Sequence, residues 1–183
     1  MHKLTYEEIL ENRLPEKDAL QIDRHPVIGV LEDIRSLYNV GSCFRTADAM
    51  LLERLVLTGY TPTPPRKEIS KTALGADRFV PWQGIPDPSD VVTALKEEGY
   101  ALYALELTDR SLAVDQLEQL DPFPERLAFI AGNEIGGVRA ETLAQCDGSI
   151  YIPMSGVKHS LNVAVAFGIA AWELVKARGR TNG

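Results

Sequence analysis

The chain has 183 residues, 45% of them hydrophobic and 25% charged, which is enough for one well-buried domain and too little for two comfortable ones. A net charge of −7 and a pI near 5.0 argue against a general nucleic-acid coat protein, although phosphate can still be held by a local basic patch. No apolar run approaches a membrane span, and Met1 to Glu8 has neither the apolar core nor the cleavage site of a signal peptide, so a cytoplasmic protein without membrane contact is expected. Cys43 and Cys146 lie in unrelated segments and read as buried thiols, and the three histidines, at 2, 25 and 159, show no metal-ligand spacing, so no metal is expected.

Thr5-Tyr6-Glu7-Glu8 has the Thr-x-x-Glu spacing of a capping box, which predicts a helix from Thr5 to about Arg13. A helix so short must pack on the main domain or on a partner. The continuous apolar run Val27 to Glu32 reads as a strand covered on both faces, and it opens onto a polar loop, Asp33 to Asn39. Val40, Phe44, Ala47 and Leu51 are spaced as one helix face, with Asn39 at the N-cap and Arg45 inside the helix. Arg54 to Gly59 is the second strand, and Thr61 to Pro65 carries three prolines and reads as a stiff exposed loop. Ser70 to Leu74 predicts a short helix, and Phe79 to Trp82 a brief strand.

Asp87 caps a helix containing Val91, Val92, Ala94 and Leu95 that closes at Gly99, and Tyr100 to Leu107 follows as a strand. Asp109 to Leu120 reads as a loop with a helical turn or two. Leu127 to Gly132 is a buried strand, Val138 to Gln145 a helix, and Ser149 to Pro153 the last strand before an alanine-rich apolar helix reaching Trp172 and Leu174. About six strands alternating with helices predict an α/β fold with a mostly parallel sheet covered on both faces. The expected organisation is an N-terminal helical extension over 1–25, one domain over 26–176 and a flexible tail over 177–183. Arg66, Lys67 and Lys71, with Arg35, Arg45, Arg78 and Lys158 in or near loops, are the candidate phosphate contacts.

Three stretches stand out because each follows an apolar strand-like run: Asn39-Val40-Gly41-Ser42-Cys43-Phe44-Arg45, Gly132-Asn133-Glu134-Ile135-Gly136-Gly137, and Ser155 to Val163 with its Ser160-Leu161-Asn162-Val163. Taken singly, each has an ordinary reading. Ser160 and Asn39 would cap helices, Glu134 would be an acid at a helix N-terminus, and Arg45 would be solvated. None is a P-loop or a dinucleotide fingerprint. In this order the three resemble the motifs of the SpoU/TrmH branch of the SPOUT RNA methyltransferases, and the likeness covers Val27 to Leu174.

The resemblance implies a C-terminal strand, loop and helix threaded into a trefoil knot, a homodimer paired through the last helix, and methyl transfer from S-adenosyl-L-methionine to a ribose 2′-hydroxyl of tRNA or rRNA. It assigns Arg45 to the reacting hydroxyl. Guanidinium essentially never deprotonates, so Arg45 is read as a fork that holds phosphate and stabilises the oxyanion. Asn39 and Glu134 would orient Arg45 or close the loops. Ser160 and Asn162 would bond the ribose or anchor the loops, and the cofactor would lie against backbone at Gly132, Ile152, Met154 and Leu161. Two other classes remain open: a catalytically silent RNA-binding module of the same fold, and another kind of nucleotide-binding α/β enzyme.

Overall fold

The computed structural model describes residues 1–11, 15 and 18–181. Seven strands, β1 (His25–Glu32), β2 (Leu52–Thr58), β3 (Trp82–Ile85), β4 (Ala101–Leu105), β5 (Leu112–Ala113), β6 (Leu127–Ala131) and β7 (Gly148–Tyr151), form one sheet in the order β3-β2-β1-β6-β4-β7-β5. Every pairing is parallel. Parallel neighbours require crossovers, and these are supplied by helices α2 (Leu37–Ala49), α3 (Lys67–Ala73), α4 (Pro88–Glu97) and α5 (Ala140–Leu143) or by 3-10 turns, while α1 (Tyr6–Glu11) precedes the first strand and α6 (Val163–Thr181) follows the last.

The apolar strands bury alternate residues on opposite faces. On one face Val27, Leu31, Leu127, Phe129 and Ala131 meet α2, α3 and α6; on the other Ile28, Val30, Ala128 and Ile130 meet Val91, Val92 and Leu95 of α4. Helix α6 contributes Val163, Phe167, Ala170, Ala171 and Leu174, one stripe at i, i+4, i+7, i+8 and i+11. Phe167 is fully buried with its ring centroid 4.8 Å from that of Phe129. Removing such a side chain costs about 3–5 kcal/mol.

Several boundaries differ from the sequence expectation, each for a local reason. Strand β3 begins at Trp82, because Ala76–Arg78 form a 3-10 turn and the strand is defined by its pairing with β2, Leu55 opposite Trp82. The two-residue β5 exists only through its pairing with β7. Helix α5 is shorter than expected because the N–H groups of Val138 and Arg139 donate to the carboxylates of Glu106 (3.2 Å) and Glu32 (2.7 Å). Thr61, expected in an exposed loop, is buried, and its hydroxyl donates to Leu31 O at 2.9 Å.

The capping box forms, with Glu8 N donating to Thr5 Oγ1 at 3.3 Å and Thr5 N to Glu8 Oε2 at 2.7 Å. No residue of α1 is buried, so it does not pack into the domain, and the end expected near Arg13 lies outside the described residues. At the other terminus α6 runs on to Thr181, through most of the stretch expected to be a flexible tail, since Lys176, Ala177 and Arg178 are good helix formers. No helix among the described residues is long and apolar enough to cross a membrane.

Candidate active site

The carboxyl ends of β1, β6, β4 and β7 lie side by side, and the three singled-out stretches are the loops leaving β1, β6 and β7 or the helices that follow. Ligands of open α/β sheets collect at this edge. After β6 the chain closes on itself: Asn133 and Gly137 exchange backbone hydrogen bonds of 2.9 Å, and Asn133 Oδ1 accepts from Ile135 N and Gly136 N. Gly132 permits this closure, because a Cβ there would lie 2.2 Å from the carbonyl carbon of Gly137. Asn133 Nδ2 donates to Asp33 O and to the hydroxyl of Tyr60, tying the loop to the end of β1.

The loop presents Glu134 to the start of α2. Its carboxylate accepts from Arg35 N (3.1 Å), Ser36 N (3.2 Å) and Asn39 Nδ2 (3.1 Å). Burial pushes the carboxyl up, but the N–H groups of Arg35, Glu134 itself and Ser36 and the Asn39 amide outweigh it, so the group titrates below its ordinary value. Glu134 therefore is an acid at a helix N-terminus, but of α2, which comes from far away in sequence, and not of α5.

Two expected caps are corrected. Ser36 caps α2, its hydroxyl accepting from Asn39 N at 3.3 Å, so the Asn39 side chain is free for other bonds. Asn162, not Ser160, caps α6: its Oδ1 accepts from Ala164 N at 2.9 Å, and its carbonyl from Val165 N and Ala166 N. Asn162 Nδ2 also donates to Asn39 Oδ1 at 3.2 Å. The result is a relay, Asn162 to Asn39 to Glu134, that joins the N-cap of α6, the first turn of α2 and the loop after β6 by direct hydrogen bonds. Ser160 is exposed two residues away and makes no hydrogen bond among the described residues.

Arg45 lies six residues beyond Asn39, about 9 Å further along α2 and on another side of it. It is exposed, with no hydrogen bond or ion pair among the described residues, and it lines an open groove of about 510 Å³ with Ser42, Thr46, Ala49, Lys71, Thr72 and Leu74. Thus the structure joins Asn39, Glu134 and Asn162 to one another, and sets Arg45 in a neighbouring groove.

Around the loops, apolar side chains stand open: Met154 and Leu161 after β7, Ile135 after β6 and Leu107 after β4 are all exposed. Ile152 is half-buried. Residues 152–161 form no backbone–backbone hydrogen bond among the described residues, so their donors and acceptors are available to a ligand. Apolar tips beside unpaired backbone groups suit a flat heteroaromatic ring with polar edges, and the described residues contain no cluster able to hold a metal ion.

The sequence reading missed a buried support beneath this edge. Glu32, 1% exposed, accepts from Arg139 N (2.7 Å) and Thr142 Oγ1 (2.6 Å), while Asp33 accepts from Arg139 Nε (2.5 Å) and Tyr60 N (3.1 Å). Two adjacent carboxylates ending an apolar strand were the available signal.

The SpoU rRNA Methylase family matches residues 26–172, from the second residue of β1 through β7 and all the site loops into α6. The chain belongs to this family. Among its relatives, the 23S rRNA (guanosine-2′-O-)-methyltransferase RlmB of Neisseria meningitidis is 29% identical over 169 residues, covering 92% of this chain and 66% of that protein. The tRNA (guanosine(18)-2′-O)-methyltransferase of Thermus thermophilus is 31% identical over 175 residues, 94% of this chain and 80% of that one. The SpoU family fold recurs in the A. aeolicus TrmH/SpoU tRNA modifying enzyme (TM-score 0.78, 24% identity, 96% of this chain and 85% of that one). It recurs also in an AdoMet-bound rRNA methyltransferase from Sinorhizobium meliloti (TM-score 0.76, 24% identity, 86% and 59%). The chain therefore spans only 66% of the length of the Neisseria relative.

Proposed function

We propose that this chain is an S-adenosyl-L-methionine-dependent methyltransferase acting on a ribose 2′-hydroxyl of tRNA or rRNA. The observation that carries the reading is the Asn162–Asn39–Glu134 relay, which ties the starts of α2 and α6 to the loop after β6 at the carboxyl edge of the sheet in a member of the SpoU family. When bound, S-adenosyl-L-methionine supplies a methyl group made electrophilic by its sulfonium. Backbone at Gly132, Ile152, Met154 and Leu161 would hold it, with the open apolar side chains against its rings.

The remaining work is positioning and charge. Arg45, unpaired and forked, holds a phosphate next to the target ribose and stabilises negative charge on the 2′-oxygen as its proton passes to water or phosphate. Asn39 and Glu134 act by closing the loops, and Ser160 offers an unpaired hydroxyl to the ribose.

The exposed stripe of α6, Val165 and Trp172, lies opposite the stripe that packs on the sheet and fits a homodimer paired through this helix. The C-terminal strand, loop and helix would form the family's knot, the segment expected over 1–25 would be an extension to the catalytic domain of 26–176 except at its end, where Arg24 donates to Leu52 O and Phe79 O and His25 opens β1, and the protein would act in the cytoplasm. Incubation with methyl-labelled S-adenosyl-L-methionine and either total tRNA or rRNA, followed by digestion to nucleosides, should yield 2′-O-labelled product. RNA binding with no label transferred would show instead a catalytically silent module.

A further inference from the structure

The groove beside Arg45 is out of character for a chain of net charge −7. Its lining holds two cations, Arg45 and Lys71, and three hydroxyls, Ser42, Thr46 and Thr72, with no carboxylate. The two cations come from different helices, and their convergence depends on Gly41. A Cβ at Gly41 would lie 2.1 Å from Thr72 Oγ1 and 2.3 Å from Ile69 O, so α3 rests directly on the backbone of α2. The hydroxyls of Ser42 and Thr72 both donate to Tyr38 O at 2.9 Å, fastening the two helices at this level. The Lys71 ammonium is 6.0 Å from the centre of the Tyr38 ring, which is 50% exposed and belongs to the residue just before Asn39.

An acid-free pocket with two cations and several hydroxyls is a site for an anionic oxygen group. An exposed aromatic ring at its rim adds a stacking surface, and cation plus ring is the combination that receives single-stranded nucleic acid. We propose that this groove seats a phosphodiester of a single-stranded RNA segment flanking the target ribose, with Lys71 as the second cation facing Arg45 and Tyr38 stacking on the neighbouring base. The inference rests on the reading of the chain as an RNA methyltransferase and assigns Lys71 and Tyr38 as positioning residues for its substrate.

The test is fluorescence anisotropy of a labelled single-stranded oligoribonucleotide of mixed sequence, titrated at several salt concentrations. Lys71→Ala should weaken binding several-fold and flatten the slope of log affinity against log salt by about 0.7, the value for one phosphate contact on a single strand. Lys71→Arg should restore both. Tyr38→Ala should weaken binding by about tenfold, Tyr38→Phe should not, and the Tyr38 effect should be nearly independent of salt. Lys67→Ala, also on α3 but outside the groove, is the control for loss of net charge.

An unchanged salt slope in Lys71→Ala, or an equal effect of Lys67→Ala, would overturn the proposal. So would a wild-type protein with no affinity for the oligoribonucleotide. Methyl transfer is read separately on the wild-type protein: binding with the expected variant pattern but no transfer to any RNA defeats the methyltransferase reading and leaves the groove assignment standing.

Discussion

The relay is most directly perturbed at Asn39, which donates to Glu134 at 3.1 Å and accepts from Asn162 at 3.2 Å. Asn39→Ala removes both bonds. A hydrogen bond to a charged acceptor contributes about 1.5–3 kcal/mol and a neutral one about 0.5–1.5 kcal/mol. Glu134 keeps the N–H groups of Arg35 and Ser36, and water can reach the exposed Asn162 amide, so values at the low end apply and the expected loss is about 2 kcal/mol. For a chain of this size that lowers Tm by roughly 4–8 °C.

Asn39→Asp is sharper. It keeps the acceptor for Asn162 but sets a second carboxylate beside the first, and two unit charges at the 3.1 Å separation of the present bond repel by about 5 kcal/mol at an effective dielectric of 20, before screening by the solvent that reaches this half-buried pair. The deficit at neutral pH should therefore exceed that of Asn39→Ala. Its pH dependence is opposite to that of the wild-type bond. Wild-type Glu134 has a lowered folded pKa, so its contribution is present above the unfolded value and disappears as pH falls through the folded one. The carboxylate pair has a raised folded pKa, so its penalty is full above that value and lifts as pH falls, when the two share a proton. Urea titrations of wild type and both variants from neutral to acid pH, with m-values as a check on the transition, should show the Asp variant converging on wild type in acid. A deficit that widens in acid, or an Asp variant as stable as wild type at neutral pH, would refute the relay as drawn.

Arg45→Lys and Arg45→Ala should both lose on the order of 10²-fold in turnover, because a point charge cannot replace the fork, while the cofactor Kd measured by calorimetry without added metal stays nearly constant; full activity in Arg45→Ala would falsify the assignment. Light scattering should give a dimer for wild type and a monomer for Trp172→Glu, since this exposed indole lies on the unpacked stripe of α6; a monomeric wild type removes the dimer. Burial pushes the Cys43 thiol far above its ordinary value and Cys146 up to about 11, so under native conditions at mildly alkaline pH a disulfide reagent should label Cys146 slowly and Cys43 only on unfolding. Fast double labelling of native protein would contradict this burial.

Much of the fold was written in local pattern. The runs over β1 and β6 are legible because a parallel strand covered on both faces must be apolar at every position, and Val27 to Leu31 and Leu127 to Ala131 are nearly so. Asn39, Glu134 and Asn162 follow such runs as polar residues with ordinary capping or helix-end readings, and Arg45 lies inside α2, so it is the resemblance of the three ordered motifs that singles the four out. The caps could not be placed, because Ser36 and Asn39 before α2, and Ser160 and Asn162 before α6, are all good capping residues, and a choice between them depends on what else each side chain can reach. Asn39 reaches Glu134, 95 residues away, and Asn162, 123 residues away, so Ser36 is left to cap.

The edge strands are misplaced or missed in the sequence for a related reason, β3 being expected over Phe79 to Trp82 and found over Trp82–Ile85, and β5 being read as loop. Gln83-Gly84 and Leu112-Ala113 carry no strand pattern of their own and extend only because β2 and β7 offer unpaired backbone groups. The groove is tertiary from the start: Arg45 and Lys71 read as two scattered charges, and only the absence of a side chain at Gly41 lets α3 settle onto α2 and bring them to one cavity. The chain by itself determined which residues were polar, apolar or small. The packing of helices and the order of strands decided which of them meet, because hydrogen bonds and cation pairs act over a few ångströms and sequence distance carries no information about that separation.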